Sequence, residues 1–299
     1  MTASTAPFAS MRERDVSLRG LRFRLCEWGP HGGPLVVLLH GWLDQGAAWD
    51  AVAAQLAQDG YWVVAPDHRG HGRSDWTPTG STYHFLEYVA DLDALMQRLE
   101  ADAPGMKGCT LVGHSMGGTI ATLYAGLRPE RIASLVLVDG LGPPAVSDDE
   151  AADQATTFLE HCRSPRIHRV LVDVSSAADR IRRTNPGLSR KRAEWLAKRV
   201  TVVLPGGGVK WRWDPLHRTR AAVAFDADRL MAVIRRVQCA TWLVVGCTGW
   251  YARLPALLER QRTFEAGCTR VDLPCGHDIH HSEPQRLVSV IRQAVRFRS

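Results

Sequence analysis

Cys109-Thr-Leu-Val-Gly113-His-Ser115-Met-Gly117-Gly-Thr-Ile-Ala-Thr-Leu-Tyr-Ala125 is the stretch on which the reading of this chain turns. An apolar, strand-like run enters a G-x-S-x-G pentapeptide, and a helix-like run leaves it. In that context a serine sits at the tip of a sharp turn. Its backbone must adopt strained angles, and glycines two positions to either side remove the Cβ atoms that would collide there. The hydroxyl then stands clear of the sheet, with helix N–H groups aimed at any oxyanion formed beside it. Ser115 is therefore the candidate nucleophile.

Outward from the elbow, apolar runs and helical periodicity alternate. Rough alternation of apolar and polar residues at 16–18 and 21–28 reads as a hairpin turned at Arg19-Gly20. The continuous apolar run at 34–40 suits a strand buried on both faces, 133–138 reads as another buried strand, and further strands are expected at 61–65, 241–245 and 269–273. Helices are expected at 47–58, 83–99, 254–265 and 283–296. This order predicts an α/β fold, a mainly parallel sheet with helices on both faces, formed by residues 1–140 and 238–299. Between Gly140 and Val237 the rhythm breaks into helical pieces, charge clusters and loops, with no obvious strand. Residues 141–237 are read as a helical lid inserted after the 133–138 strand.

Composition narrows the classes. The 299 residues suffice for one large domain, or a core plus an inserted subdomain. No run approaches the ~18 apolar residues of a membrane span. Residues 1–14 lack the apolar centre of a signal peptide. Seven cysteines, scattered without CxxC pairs, point to reduced thiols in a cytoplasmic protein rather than disulfides or a zinc site. The net charge of +6 is concentrated in residues 161–200, where eleven Lys/Arg face three acids. That segment reads first as a solvated helical face. The sharper alternative is a positive rim attracting an anionic substrate. No nucleic-acid-binding module accompanies the charge.

A serine hydroxyl needs a base, and the base needs an acid to hold its tautomer. His277, just past the last expected strand, is the candidate base; His280 and His281 are its competitors. The commonest acid position follows the 241–245 strand, but Gly246-Cys-Thr-Gly-Trp-Tyr251 contains no carboxylate. Asp139 ends the strand next to the elbow strand and opens onto the same crevice. It is the candidate acid, ahead of Asp214, Asp226 and Asp278. His40-Gly41-Trp42 follows the first long strand, so the backbone N–H groups of Trp42 and Met116 are the expected oxyanion hole. His114, Trp211 and Trp250 are candidate pocket residues. The Gly-rich loop Asp67–Ser74 reads as scaffolding. The histidines are too dispersed along the chain to suggest a metal site.

Four signatures, L-L-H-G-W (38–42), P-D-H-R-G-H-G-R-S (66–74), V-G-H-S-M-G-G (112–118) and G-H followed by E-P (276–284), carry a resemblance. Over nearly its whole length the chain resembles the α/β-hydrolase superfamily, and within it most of all the serine hydrolase-like proteins. The closer likeness rests on L-V-L-V-D-G after the elbow helix, the carboxylate-free G-W-Y turn and H-x-x-H-x-S-E-P at 277–284. The shared absence of the later acid favours Asp139. The resemblance implies a cofactor-independent serine hydrolase acting on a small-molecule ester or thioester. Carbon–carbon bond hydrolysis by the same triad and a slow-turnover binding protein are the alternatives. A serine at the elbow argues against dehalogenases and epoxide hydrolases of this fold, which use aspartate there.

Overall fold

The structure, a computed structural model, describes residues 10–106, 108–185 and 187–296. Most of the segment read for a signal peptide therefore lies outside the described residues. The chain opens with the hairpin β1 (Arg12–Leu18) and β2 (Leu21–Trp28), followed by β3 (Leu35–Leu39), α1 (Asp50–Gln58) and β4 (Trp62–Pro66). Then come α2 (Phe85–Asp102), β5 (Cys109–His114), α3 (Met116–Leu127) and β6 (Ile132–Val138). After β6 the chain forms α4 (Asp148–Arg163), α5 (Val174–Thr184), α6 (Arg190–Val200), β7 (Thr201–Val203), β8 (Val209–Trp211) and α7 (Ala227–Ile234). It returns through β9 (Ala240–Gly246), α8 (Leu257–Arg262), β10 (Cys268–Leu273), α9 (Ile279–Ser282) and α10 (Pro284–Arg296).

Eight strands form one sheet in the order β1-β2-β4-β3-β5-β6-β9-β10. The first two pairings are antiparallel, and those from β4 to β10 are parallel. The apolar run of β3 is continuous because both its faces are covered. Leu35, Val37 and Leu39 join the core shared with Leu95, Ile120 and Leu230, from α2, α3 and α7. Val36 and Leu38 pack on the opposite side with Leu56 and Ile291, from α1 and α10. Parallel register brings the C-terminal ends of the central strands level, with His114 opposite Val138 and Val138 opposite Val244. Residues just past β5, β6, β9 and β10 therefore emerge along one edge.

Two expectations need correction. The segment after β6 is not strand-free: β7 and β8 pair antiparallel, and Leu171 bridges to Val209. Three-residue strands are too short to give a period. The helix expected at 254–265 is shorter; a single 3-10 turn at Tyr251–Arg253 precedes α8, which ends at Arg262. Around the ribbon, Leu171, Ala177, Ala178, Ala193, Ala197 and Val209 make a small separate core. Cys26, Cys109 and Cys275 are buried, and Cys162 and Cys247 are exposed.

Candidate active site

Ser115 follows β5 with φ 52° and ψ −115°, outside the regions where an L-residue rests comfortably. Close packing holds it there. A Cβ on Gly113 would come within 2.3 Å of the Gly117 carbonyl oxygen, and one on Gly117 within 2.4 Å of the Leu39 carbonyl oxygen. Strand β3 and helix α3 thus press on the elbow from both sides, and any larger residue would force the turn open.

His277 lies in the loop after β10 and faces both partners. Its Nε2 is 3.0 Å from Ser115 Oγ, and its Nδ1 is 3.1 Å from Asp139 Oδ2. An ionised carboxylate can only accept, so Nδ1 carries the proton and Nε2 turns its lone pair to the hydroxyl. Asp139 directly follows β6 and is fully buried. Burial pushes its carboxyl up from the ordinary range; the His277 contact and the Gly246 N–H, 2.9 Å from Oδ1, pull it back down. The end of β9, which carries no acid, instead supplies the amide that orients the acid of β6.

Of the other carboxylates considered, none hydrogen-bonds His277. Asp214 accepts from Tyr83 Oη at 2.8 Å, and Asp226 caps α7. Asp278 stands at the start of α9, its carboxyl pushed up to about 6, mainly by burial. His280 and His281, both on α9, do not contact Ser115; His280 Nε2 lies 3.3 Å from Asp44 instead.

The candidate oxyanion donors flank the hydroxyl. Met116 opens α3, so its N–H has no carbonyl within the helix to bond. Trp42 lies in the turn after β3. The preceding Gly41 runs so close to the elbow that a Cβ there would stand 3.3 Å from the Ser115 Cβ. Among the described residues, neither N–H donates to a protein acceptor.

A cavity of about 740 Å³ opens over Ser115. Its walls include Met116, Leu123 and Trp250 from the core side, and Phe158, Val223 and Phe225 from the insertion. Two of the three expected pocket residues are not part of it. His114 is buried beneath the elbow, where its ring packs between His277 and His280, at 4.8 and 4.6 Å, because the residue before the serine still belongs to β5. Trp211 lies on β8, stacked on Trp213 and packed against the insertion's own small core. The positive-rim reading of residues 161–200 also misplaces the charge. None of those residues lines the cavity; its cations are Arg220 and Arg229. Three of the segment's arginines are ion-paired, Arg192 with Asp50, Arg199 with Glu13 and Arg190 with Asp179 and Glu194.

Some supporting groups escape a reading of the sequence. Asp139 has φ 44°, a strained value, and the loop leaving it is pinned by Arg260, whose Nη1 donates to the carbonyls of Leu141 and Gly142 at 2.9 and 2.8 Å. Tyr251 Oη takes the Leu141 N–H. A buried arginine committed to backbone oxygens has no sequence signature. Sequence distance also hides a cluster: Asp44, His114 and His280 converge, each with one ligand-capable atom within 4.8 Å of the others.

A family model described as the alpha/beta hydrolase fold matches residues 34–169. A serine hydrolase-like protein of Danio rerio is 30% identical over 88% of this chain and 82% of its own length. A lipase of Mycobacterium tuberculosis is 28% identical over 89% of this chain and 94% of its own length. Among solved structures, the thioesterase domain from the curacin biosynthetic pathway superposes with a TM-score of 0.83. It is 36% identical, covering 95% of this chain and 99% of that domain.

Proposed function

This chain belongs to the α/β-hydrolase family, and on that premise we propose that it is a cofactor-independent serine hydrolase cleaving a carboxylic ester or thioester through an acyl-enzyme. The observation that carries the reading is the unbroken chain from Asp139 through His277 to Ser115 at the floor of an apolar cavity. Relatives named as a lipase and a thioesterase domain support the substrate class.

The steps follow from the protons. Ser115 Oγ attacks the substrate carbonyl as its proton passes to His277 Nε2. Asp139 stabilises the imidazolium so formed and keeps the ring in its productive tautomer. Negative charge gathers on the carbonyl oxygen, where the N–H groups of Trp42 and Met116 receive it; a donor of this kind contributes ~3 kcal/mol. His277 then protonates the departing alcohol or thiol. Water, activated by the same imidazole, releases the acid. The insertion acts as a cap whose residues select the acyl group.

Partition between water and hydroxylamine tests the acyl-enzyme. Phenyl, p-nitrophenyl and thiophenyl esters of one acid pass through the same intermediate, so the ratio of acid to hydroxamate should be identical for all three. A ratio that varies with leaving group, or ester binding without turnover, contradicts the proposal.

A further inference from the structure

We propose that Asp44, His114 and His280 form a transition-metal site behind the catalytic groups, and that occupancy by a divalent ion such as Zn²⁺ switches the enzyme off. The three residues come from the turn after β3, the end of β5 and helix α9, and each presents one ligand-capable atom within 4.8 Å of the other two. A second observation concerns hydrogen-bond accounting. His114 Nε2 is 3.0 Å from the His277 carbonyl oxygen, which can only accept, so the proton is on Nε2 and Nδ1 bears a lone pair. That Nδ1 is buried and has no hydrogen-bond partner; Nδ1 of His280 is in the same condition. Both side chains are at least nine-tenths buried. Buried nitrogens of this kind normally find a partner.

The arrangement suits a metal. Ligating histidines usually donate their other ring N–H to a backbone carbonyl or carboxylate, which fixes the tautomer and aims the lone pair. His114 already makes that bond to a carbonyl. His280 turns Nε2 toward its co-ligand, 3.3 Å from Asp44 Oδ2, so Nε2 is the nitrogen it offers the metal. Two imidazoles and one carboxylate select Zn²⁺, Co²⁺, Ni²⁺ or Cu²⁺ over Mg²⁺ and Ca²⁺, which prefer oxygen. Bonds of ~2.0–2.1 Å in a tetrahedral site put ligand atoms about 3.4 Å apart, so closing the cluster asks for roughly an ångström of movement. A fourth position is left for water. The Arg192 charge, which is felt by Asp44 and His280, is already committed to Asp50.

Inhibition follows from position, and this part rests on the hydrolase reading. The ligands sit on the three segments that carry Trp42, Ser115 and His277, so contraction around a metal pulls the oxyanion donor, nucleophile and base together. The His114 ring is also 4.8 Å from that of His277. A dication held there opposes the imidazolium that must form during acyl transfer.

The test separates binding from rate. Exposed Cys162 and Cys247 would themselves take up zinc, so the full chain is first made Cys162→Ser, Cys247→Ser. Calorimetric titration with ZnCl₂ should find one site, with affinity at least tenfold weaker in Asp44→Asn and in His280→Gln. The Asp44 side chain is only partly buried, so that variant should fold even if His280→Gln does not. Equal affinity in parent and Asp44→Asn, or no binding by the parent, overturns the site whatever the catalytic result. Hydrolysis of p-nitrophenyl butyrate should fall at least tenfold with bound Zn²⁺, recover with EDTA, and resist the same Zn²⁺ in Asp44→Asn. Saturation without loss of rate overturns the switch. Absence of turnover in the metal-free parent counts against the hydrolase reading, while the calorimetric titration still decides the site.

Discussion

The edge of the sheet and the inserted segment face each other across one cavity and are built on opposite terms. Along β5 every residue is buried, and the elbow that follows is locked by backbone atoms of β3 and α3. Helix α4, on the other side, contains no buried residue and is held to the loop beside it by contacts such as Gln154 Nε2 to the Ala221 carbonyl at 3.0 Å. Close packing holds groups to fractions of an ångström, which proton transfer requires. A lightly held wall can change its side chains without disturbing the fold, which suits selection among substrates. Changes at the sheet edge should therefore alter whether the reaction occurs, and changes in the insertion should alter which molecule reacts.

The sharpest way to break this contrast is Asp139→Asn. The amide keeps the shape but favours the wrong His277 tautomer, and kcat should fall on the order of 10⁴-fold. The melting temperature should move little. Asp214→Asn, which alters contacts to Tyr83 and the Leu216 N–H and none to His277, should keep kcat within tenfold. Near-normal kcat in Asp139→Asn would remove the acid from the sheet edge.

Acid should weaken the fold through its buried histidines. Burial depresses His68 to about 3 and His71 to about 4. The unfolded chain binds those protons near pH 6.5, so it takes up more protons than the folded state between that pH and the depressed values. The stabilisation is complete above about pH 6.5 and is lost as pH falls through the window. Each unit of depression is worth ~1.4 kcal/mol. Asp67, raised to about 6 by burial, acts in the opposite sense below that pH and offsets part of the loss. Denaturant midpoints should fall between pH 6.5 and 4, and a His68→Gln variant that still folds should lose part of that slope. A flat profile contradicts the assignment of these histidines as buried and neutral.

Arg260→Leu sharpens the comparison on a smaller scale. Its bonds to the Leu141 and Gly142 carbonyls hold the loop leaving Asp139. Charged hydrogen bonds of this kind contribute about 1.5–3 kcal/mol. Melting temperature should drop and kcat should fall more than KM rises. If only KM responds, Arg260 serves the cavity and not the acid.

Phe158→Ala should have the smallest effect. It lines the cavity from α4. Stability should change by no more than about 0.5 kcal/mol. Across a series of p-nitrophenyl esters, kcat/KM should fall severalfold for long acyl chains and stay level for acetate. A uniform loss for every ester would place the residue in the common machinery.

The two regions also differ in how far they can be read from sequence. Strands such as β3 and β5 announce themselves as apolar runs because both faces are covered, and glycines mark the elbow because bulk is forbidden there. Ser115 and Asp139 follow the ends of such strands, and His277, past the edge strand β10, lies within hydrogen-bonding distance of both. The ribbon β7–β8 leaves no periodic trace, and Trp211 has the look of a pocket residue in sequence yet serves the insertion's own packing. His114 is hard to read for another reason, since the burial of the residue beside a nucleophile depends on what lies beneath the strand. Asp44 and His280 are 236 positions apart, and only the closure of the fold brings them together.

Covalent labelling at Ser115 tests the central claim most directly. A fluorophosphonate reacts with a serine whose proton a nearby base can take. Mass spectrometry should find one adduct, on the peptide containing Ser115, and labelling should vanish in Ser115→Ala and slow greatly in His277→Ala. Undiminished labelling of Ser115→Ala, or an adduct on another serine, would contradict the account.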